Sequence, residues 1–225
     1  MATWGAMLTD STGVPFYIDE TMPLCLTSAQ TYTMSLNGAT SASQEIHAND
    51  GAVRFVFVNS PDDNVYFWYA FDSVTSTWRI YGSCKGANTF RLNVYIFGYQ
   101  YQTPPKWGVA IWDAQGRCVI TNETKVLRGV NPLGIEGADS SGFNIDVTIS
   151  GNVAVAPSIL GALTGVVSGG GQVRPFVANY YTSAYFNGTT TRVRAIPSDA
   201  SGDGLQNATY TNFKTRVLSA EMGNY

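Results

Sequence analysis

Charge is scarce in this chain. Asp, Glu, Lys and Arg make up 13% of its 225 residues, about half of the roughly 25% usual for soluble domains. Only four lysines and five glutamates occur. Both are strong helix formers, so helices laced by i,i+4 ion pairs are excluded as the main element. The net charge is −3 and no basic stripe exists, which leaves nucleic-acid binding without electrostatic support. Cysteine is nearly absent too. Cys25, Cys84 and Cys118 are odd in number and at no metal spacing, so they read as reduced, buried thiols rather than a disulfide framework or a zinc site. His47 is the single histidine. Any Ser-His-Asp or Cys-His site would have to use it. A spanning helix, which needs about 20 apolar residues, is disfavoured at the apolar stretch 153–171, because Pro157 and several glycines interrupt it. The first residues lack a basic segment, and Asp10 interrupts their apolar stretch, so no signal peptide is read and synthesis in a cytoplasm is expected. The glycosylation patterns at Asn122, Asn187 and Asn207 are then incidental.

What is present is Thr, Ser, Asn, Gln, Tyr and 23 glycines, which is strand and turn material. Strands are expected at 53–58, 65–71, 77–81 and 90–97. In the last of these Phe90, Leu92, Val94 and Ile96 share one face and Arg91, Asn93, Tyr95 and Phe97 the other, the half-buried antiparallel alternation. GYQYQTPPK at 98–106 reads as an extended linker, because paired prolines cannot join a central strand. Beyond it FNIDVTI at 143–149 repeats the alternation, and strands are expected at 173–180, 191–196 and 213–219. No helix of ordinary length is visible. The fold class expected is all-β.

The chain also repeats itself. WGAMLTDSTGVPFYIDETMPL at 4–24 aligns without a gap to WGVAIWDAQGRCVITNETKVL at 107–127, with Trp, Gly, Asp, Gly, Glu, Thr and Leu in common. Each copy reads as a β-hairpin: a short apolar strand, an Asp-x-x-Gly turn, a second strand. The offset of 103 residues is far longer than a solenoid period of about 20–50 and matches one small β domain. Two antiparallel β-sandwich-like domains related by internal duplication follow as the expectation, residues 1–104 and 105–225. A duplicated module points toward structure and binding rather than catalysis.

The candidate chemistry is thin. Gly82-Ser83-Cys84-Lys85-Gly86 has the outline of a nucleophile elbow, but a strand-like segment follows where that motif needs a helix. Asp62 and Asp63 are adjacent in a turn, a solvated pattern rather than a glycosidase pair. Asp199, Ser201 and Asp203 resemble the first half of a calcium loop, but Tyr210 stands where the bidentate Glu belongs. No cofactor is called for. The stretch 153–171 is apolar, Gly-rich and uncharged. It reads either as a tip loop or as a buried strand with a glycine turn or an inter-subunit contact, and the last favours a homo-oligomer. Tyr99 and Tyr101 lie in the linker, and Tyr180, Tyr181, Tyr185 and Phe186 lie in a second Tyr/Asn/Ser-rich cluster, read as loops. Such composition suits an adaptable binding surface or a subunit interface.

The Trp-Gly…Asp-x-x-Gly hairpin, carried by Trp4, Gly5, Asp10 and Gly13 and again by Trp107, Gly108, Asp113 and Gly116, resembles a group of small tail proteins encoded by siphophages and prophages near their tail-tip and tail-fibre genes. The resemblance covers the two hairpins and the 90–102 stretch. It implies a virion component of the tail, without enzymatic activity, contacting other tail proteins. The alternatives are a host receptor- or glycan-binding module using the Tyr-rich cluster, and a capsid decoration protein.

Overall fold

The computed structural model describes residues 22–113, 115–169, 172–199 and 204–225. The chain runs through β1 (Cys25–Ser35), β2 (Ala42–Ala48), β3 (Arg54–Asn59), β4 (Val65–Asp72), β5 (Thr77–Cys84) and β6 (Thr89–Gly98). A short hairpin follows, β7 (Ala110–Trp112) and β8 (Cys118–Thr121), then β9 (Asn131–Leu133) and a 3-10 turn at Gly142–Asn144. The rest is β10 (Asp146–Ser150), β11 (Val153–Val155), β12 (Ile159–Gly169), β13 (Gln172–Phe186), β14 (Thr190–Pro197), β15 (Leu205–Asn212) and β16 (Val217–Glu221). Among the described residues there is no α-helix. The protein is all-β, as its composition implies.

Two antiparallel sheets face each other. One has the order β1-β6-β3-β11-β16-β9, the other β10-β14-β13-β4-β5-β2, with β12 and β15 added along the first half of β13. Phe90, Leu92, Val94 and Ile96 of β6 all enter the core between the sheets, as their alternation requires. They meet Phe67 and Ile80 from the opposite sheet, together with Leu160, Ala184 and Val193 from the second half of the chain.

The boundary at 104/105 therefore runs through both sheets, and the division into two sandwich domains is replaced by one sandwich. Val155 of β11 pairs with Val58 of β3, and Thr182 of β13 with Phe67 of β4. The physical reason lies in β3 to β6. Their inward faces pack on each other across the two sheets, and strands from the second half extend both sheets and complete the same core with Leu160, Ala184 and Val193.

The other face of β6 is not simply solvated. Tyr95 and Phe97 are buried in a second cluster with Phe57, Ala154, Ala220 and Met222. The last residue, Tyr225, caps it with an edge-on contact to Phe97, centroids 5.1 Å apart. At 143–149 the alternation holds: Ile145 is buried in the core, Phe143 and Ile149 pack against it, and Val147, opposite buried Val193, is partly exposed because β10 is the edge strand of its sheet.

Candidate functional site

Tyr180 ends the strand expected at 173–180, and the structure continues it as β13 through Tyr181, Tyr185 and Phe186 rather than into a loop, so period-two alternation splits these side chains between faces. Tyr180 turns inward and packs on Phe143, centroids 4.9 Å apart. Tyr181 turns outward. The register that sets Thr182 opposite Phe67 and Trp68 opposite Tyr81 brings outward rings from three strands into one row. Tyr181 stacks on Trp68 at 4.6 Å and on Tyr66 at 5.8 Å, and Trp68 stacks on Tyr81 at 5.3 Å. The Tyr66 hydroxyl donates to the Ser198 carbonyl at 3.0 Å, and the Asn179 side-chain amide donates to the Tyr181 hydroxyl at 3.2 Å. Rings this close and this parallel cover one another's faces, leaving Trp68, Tyr81 and Tyr181 half-buried and Tyr66 buried. Tyr185 and Phe186 are half-buried further along the strand, Tyr185 opposite Arg192. Trp68, Tyr81 and Tyr66 were not singled out from sequence, since only the pairing register joins them to Tyr181.

The apolar stretch at 153–171 divides. Val153, Ala154 and Val155 form β11 in the core. The remainder, as β12, joins the first half of β13 and β15 in a three-stranded ribbon extending from the sandwich. Arg174 is the one charged residue among the described positions of the ribbon from 159 to 178 and 205 to 212. One face carries Ala162, Thr164 and Val166 beside Val173, Pro175 and Val177, and Val173 and Val177 are 65% and 64% exposed. Tyr210 and Phe213 are exposed as well. The ribbon's edges are blunted against strand addition, by Arg174 and Pro175 on β13 and by a bulge at Asn207 (φ +53°) on β15. Its faces, not its edges, are what it offers.

The 107–127 copy of the repeat forms the expected hairpin, β7 against β8. Asp113 accepts the backbone N–H groups of Gln115 and Arg117, and Gly116 takes the left-handed conformation (φ +78°) that closes the turn. Gly108 (φ +140°) has no room for a Cβ, because the Asn122 side-chain oxygen occupies that place while accepting the Val109 N–H. A cleft of about 280 Å³ on the hairpin is lined by Val109, Ile111, Ile120 and Val126. The first copy, through residue 21, lies outside the described residues.

His47 lines a groove of about 340 Å³ with Tyr69, Trp78 and the Asp50–Arg54 ion pair. Its Nε2 lies 2.5 Å from the Tyr69 hydroxyl. Burial pushes His47 below its ordinary value and pushes Tyr69 up to about 12, so both are held neutral. Among the described residues lining this groove there is no thiol, and its carboxylate, Asp50, is held in the ion pair with Arg54. Cys84 ends β5 and a turn to β6 follows, not a helix, and burial pushes its thiol up, away from the reactive thiolate. Asp62 is held below the usual carboxylate range by Arg91, in an ion pair at 2.6 Å, and Asp63 pairs with Arg194 at 2.8 Å. Asp199 is exposed, while Ser201 and Asp203 lie outside the described residues. Among the described residues no group of three His, Cys, Asp or Glu could hold a metal ion. No described helix is long and apolar enough to cross a membrane.

No family model, curated protein or solved structure matches this chain.

Proposed function

We propose that this chain is a structural component of a tailed-phage virion, a minor tail or tail-tip protein that assembles with other tail proteins or further copies of itself and has no enzymatic role. The observation carrying the reading is the ribbon of β12, β13 and β15. It is nearly free of charge and exposes Val173, Val177 and Tyr210 on strands whose edges are guarded, with exposed Phe213 just beyond β15. Interface cores are depleted in charge and enriched in aromatic residues in this way. The Trp-Gly…Asp-x-x-Gly hairpin at 107–127 adds the resemblance to tail proteins.

The row Tyr81, Trp68 and Tyr181 favours a second reading, host-receptor or glycan binding, because these three stacked rings on the outward face of the sheet are half-buried beside the Asn179 amide. A capsid decoration role shares the structural class and differs in location.

Deletion of the gene from the genome that carries it tests these readings together. Particles lacking complete tails support the tail role. Intact particles that fail only in adsorption support the receptor reading. Fully infectious particles without the protein overturn both.

A further inference from the structure

Each sheet of the sandwich ends in two edge strands, β1 and β9 in one, β10 and β2 in the other. Three of these are guarded against strand addition. β9 is 3 residues long and contains Pro132. β10 is 5 residues long and begins at Asp146, which is paired with Arg192. β2 is 7 residues long, carries Glu45 and is bulged beside it. β1 is different. It is 11 residues long, and CLTSAQTYTMS contains neither a charge nor a proline. Its bulge lies near one end, between Leu26 and Ser28, so the run from Ser28 to Ser35 is regular.

The register with β6 fixes which backbone groups this edge offers. The Leu36 N–H donates to the Asn88 carbonyl at 2.8 Å, which makes that pair a hydrogen-bonded one. Antiparallel pairs alternate in type. Ser28, Gln30, Tyr32 and Met34 therefore bond to β6, and Ala29, Thr31, Thr33 and Ser35 turn their N–H and C=O groups the other way. Among the described residues nothing bonds to these four on that side. The chain's own 125–127 segment takes the same edge only at its start: the Leu127 N–H donates to the Leu24 carbonyl and the Leu26 N–H to the Lys125 carbonyl, each at 2.8 Å. The four side chains are exposed. The Thr31 hydroxyl donates back to the Asn93 side-chain oxygen on β6 at 2.7 Å, so it does not cover the edge.

We propose that this edge pairs, antiparallel, with the β1 of a second copy of the chain, so that one sheet runs on across two sandwiches. Two-fold symmetry brings each residue near its own counterpart, and a charge on such a strand would meet a like charge. β1 has none, and the one charge opposite it on β6, Arg91 across from Thr33, is already paired with Asp62 at 2.6 Å. Recognition of an unlike partner is steered by complementary charge, which this edge lacks and self-pairing has no use for. One register engages all four free residues. With the axis at Tyr32, Thr31 stands opposite the second copy's Thr33 and Ala29 opposite its Ser35, each pair exchanging both bonds. Thr favours strands, and Thr pairs across strands add to the contact.

The test measures the mass of the full-length chain by sedimentation equilibrium across a dilution series. A dimer that dissociates on dilution is expected, and a monomer throughout overturns the proposal. Thr31→Lys combined with Thr33→Lys sets like charges directly opposite and should raise the dimer dissociation constant at least about tenfold. An unchanged constant places the contact elsewhere and overturns the proposal. A pairing test that introduces no charge stands apart from that variant. Thr31→Cys chains are mixed with Thr33→Cys chains and oxidised; the two positions face each other at about 5.5 Å between Cα atoms, within the reach of a disulfide. The native Cys25, Cys84 and Cys118 are buried. A linked dimer with one chain of each kind is expected, in clear excess over a mixture of Ala29→Cys with Thr31→Cys. Equal yields overturn the proposal. These readouts involve neither the β12–β13–β15 ribbon nor a particle, so this pairing and the proposed tail role stand or fall separately.

Discussion

Replacing Phe67 by Ala tests whether the two halves of the chain stand or fall together. Phe67 is completely buried, lies opposite Gly82 of β5 and Thr182 of β13, and shares the core with Leu160, Ala184 and Val193. Truncating a core Phe costs about 3–5 kcal/mol through lost transfer free energy and the cavity left behind. In a chain of this length each kcal/mol lowers the midpoint by about 2–4 °C, so a fall of about 6–20 °C is expected. The decisive quantity is cooperativity. One core implies one calorimetric transition that moves as a whole. Amides of β14, beyond the 104/105 boundary, should lose hydrogen-exchange protection in step with those of β4. Val74→Ala, at a turn position 91% exposed, serves as the control and should change stability by about 0.5 kcal/mol at most. Two transitions of which only one moves, with β14 protection unchanged, would refute the single-sandwich reasoning.

Gly108→Ala should disorder the hairpin without unfolding the sandwich, because a Cβ there meets the Asn122 oxygen at a φ of +140°. Amide exchange confined to 109–122 checks it, at a cost of about 1–3 kcal/mol for the strained backbone. Tyr181→Ala should destabilise by about 1–3 kcal/mol, having lost two stacking partners, whereas Tyr181→Phe keeps the stack and loses only the Asn179 bond, about 1 kcal/mol or less; equal losses in denaturant titrations would deny the stack its role. His47 is held below its ordinary 6.5 by burial, so the unfolded chain binds the extra proton first. Stability should be at its plateau above that value and fall as pH drops through it, and His47→Gln should flatten this slope in urea midpoints. Tyr69, raised from 10.0 to about 12, has the opposite sign. Its contribution is present below pH 10.0 and is lost as pH rises toward 12, a slope that Tyr69→Phe should remove.

The strands that a reader of the sequence finds are those whose alternation is enforced by a two-faced environment. β3, β4, β5 and β6 were legible for this reason, and so was β14. β1 and β15 were not. In CLTSAQTYTMS only Cys25 and Met34 are buried, and LQNATYTN is exposed almost throughout, so neither carries an apolar pattern. These strands form through backbone pairing with a neighbour, and pairing leaves no signature in side-chain polarity. β13 was legible as a strand only as far as Tyr180. Its continuation through Phe186 looked like a loop, because Tyr, Thr, Ser and Asn suit both an outward-facing strand and a turn.

The sequence alone determined the fold class, through composition and period-two alternation, and the turn of the 107–127 hairpin, through Asp113, Gly116 and Gly108. These are local properties: a residue's polarity relative to its neighbours and its permitted φ act over a few positions. It also disclosed the internal match at 4–24 and 107–127, yet it could not say whether the match marks two domains. That was decided by the tertiary structure, because β11 pairs with β3 and β13 with β4, so strands from the second half extend both sheets and share one core with the first. The same long-range pairing made the aromatic row, joining Trp68 and Tyr81 to Tyr181. It also set Leu24 opposite Leu127, a register that depends on both strands at once and so is written in neither.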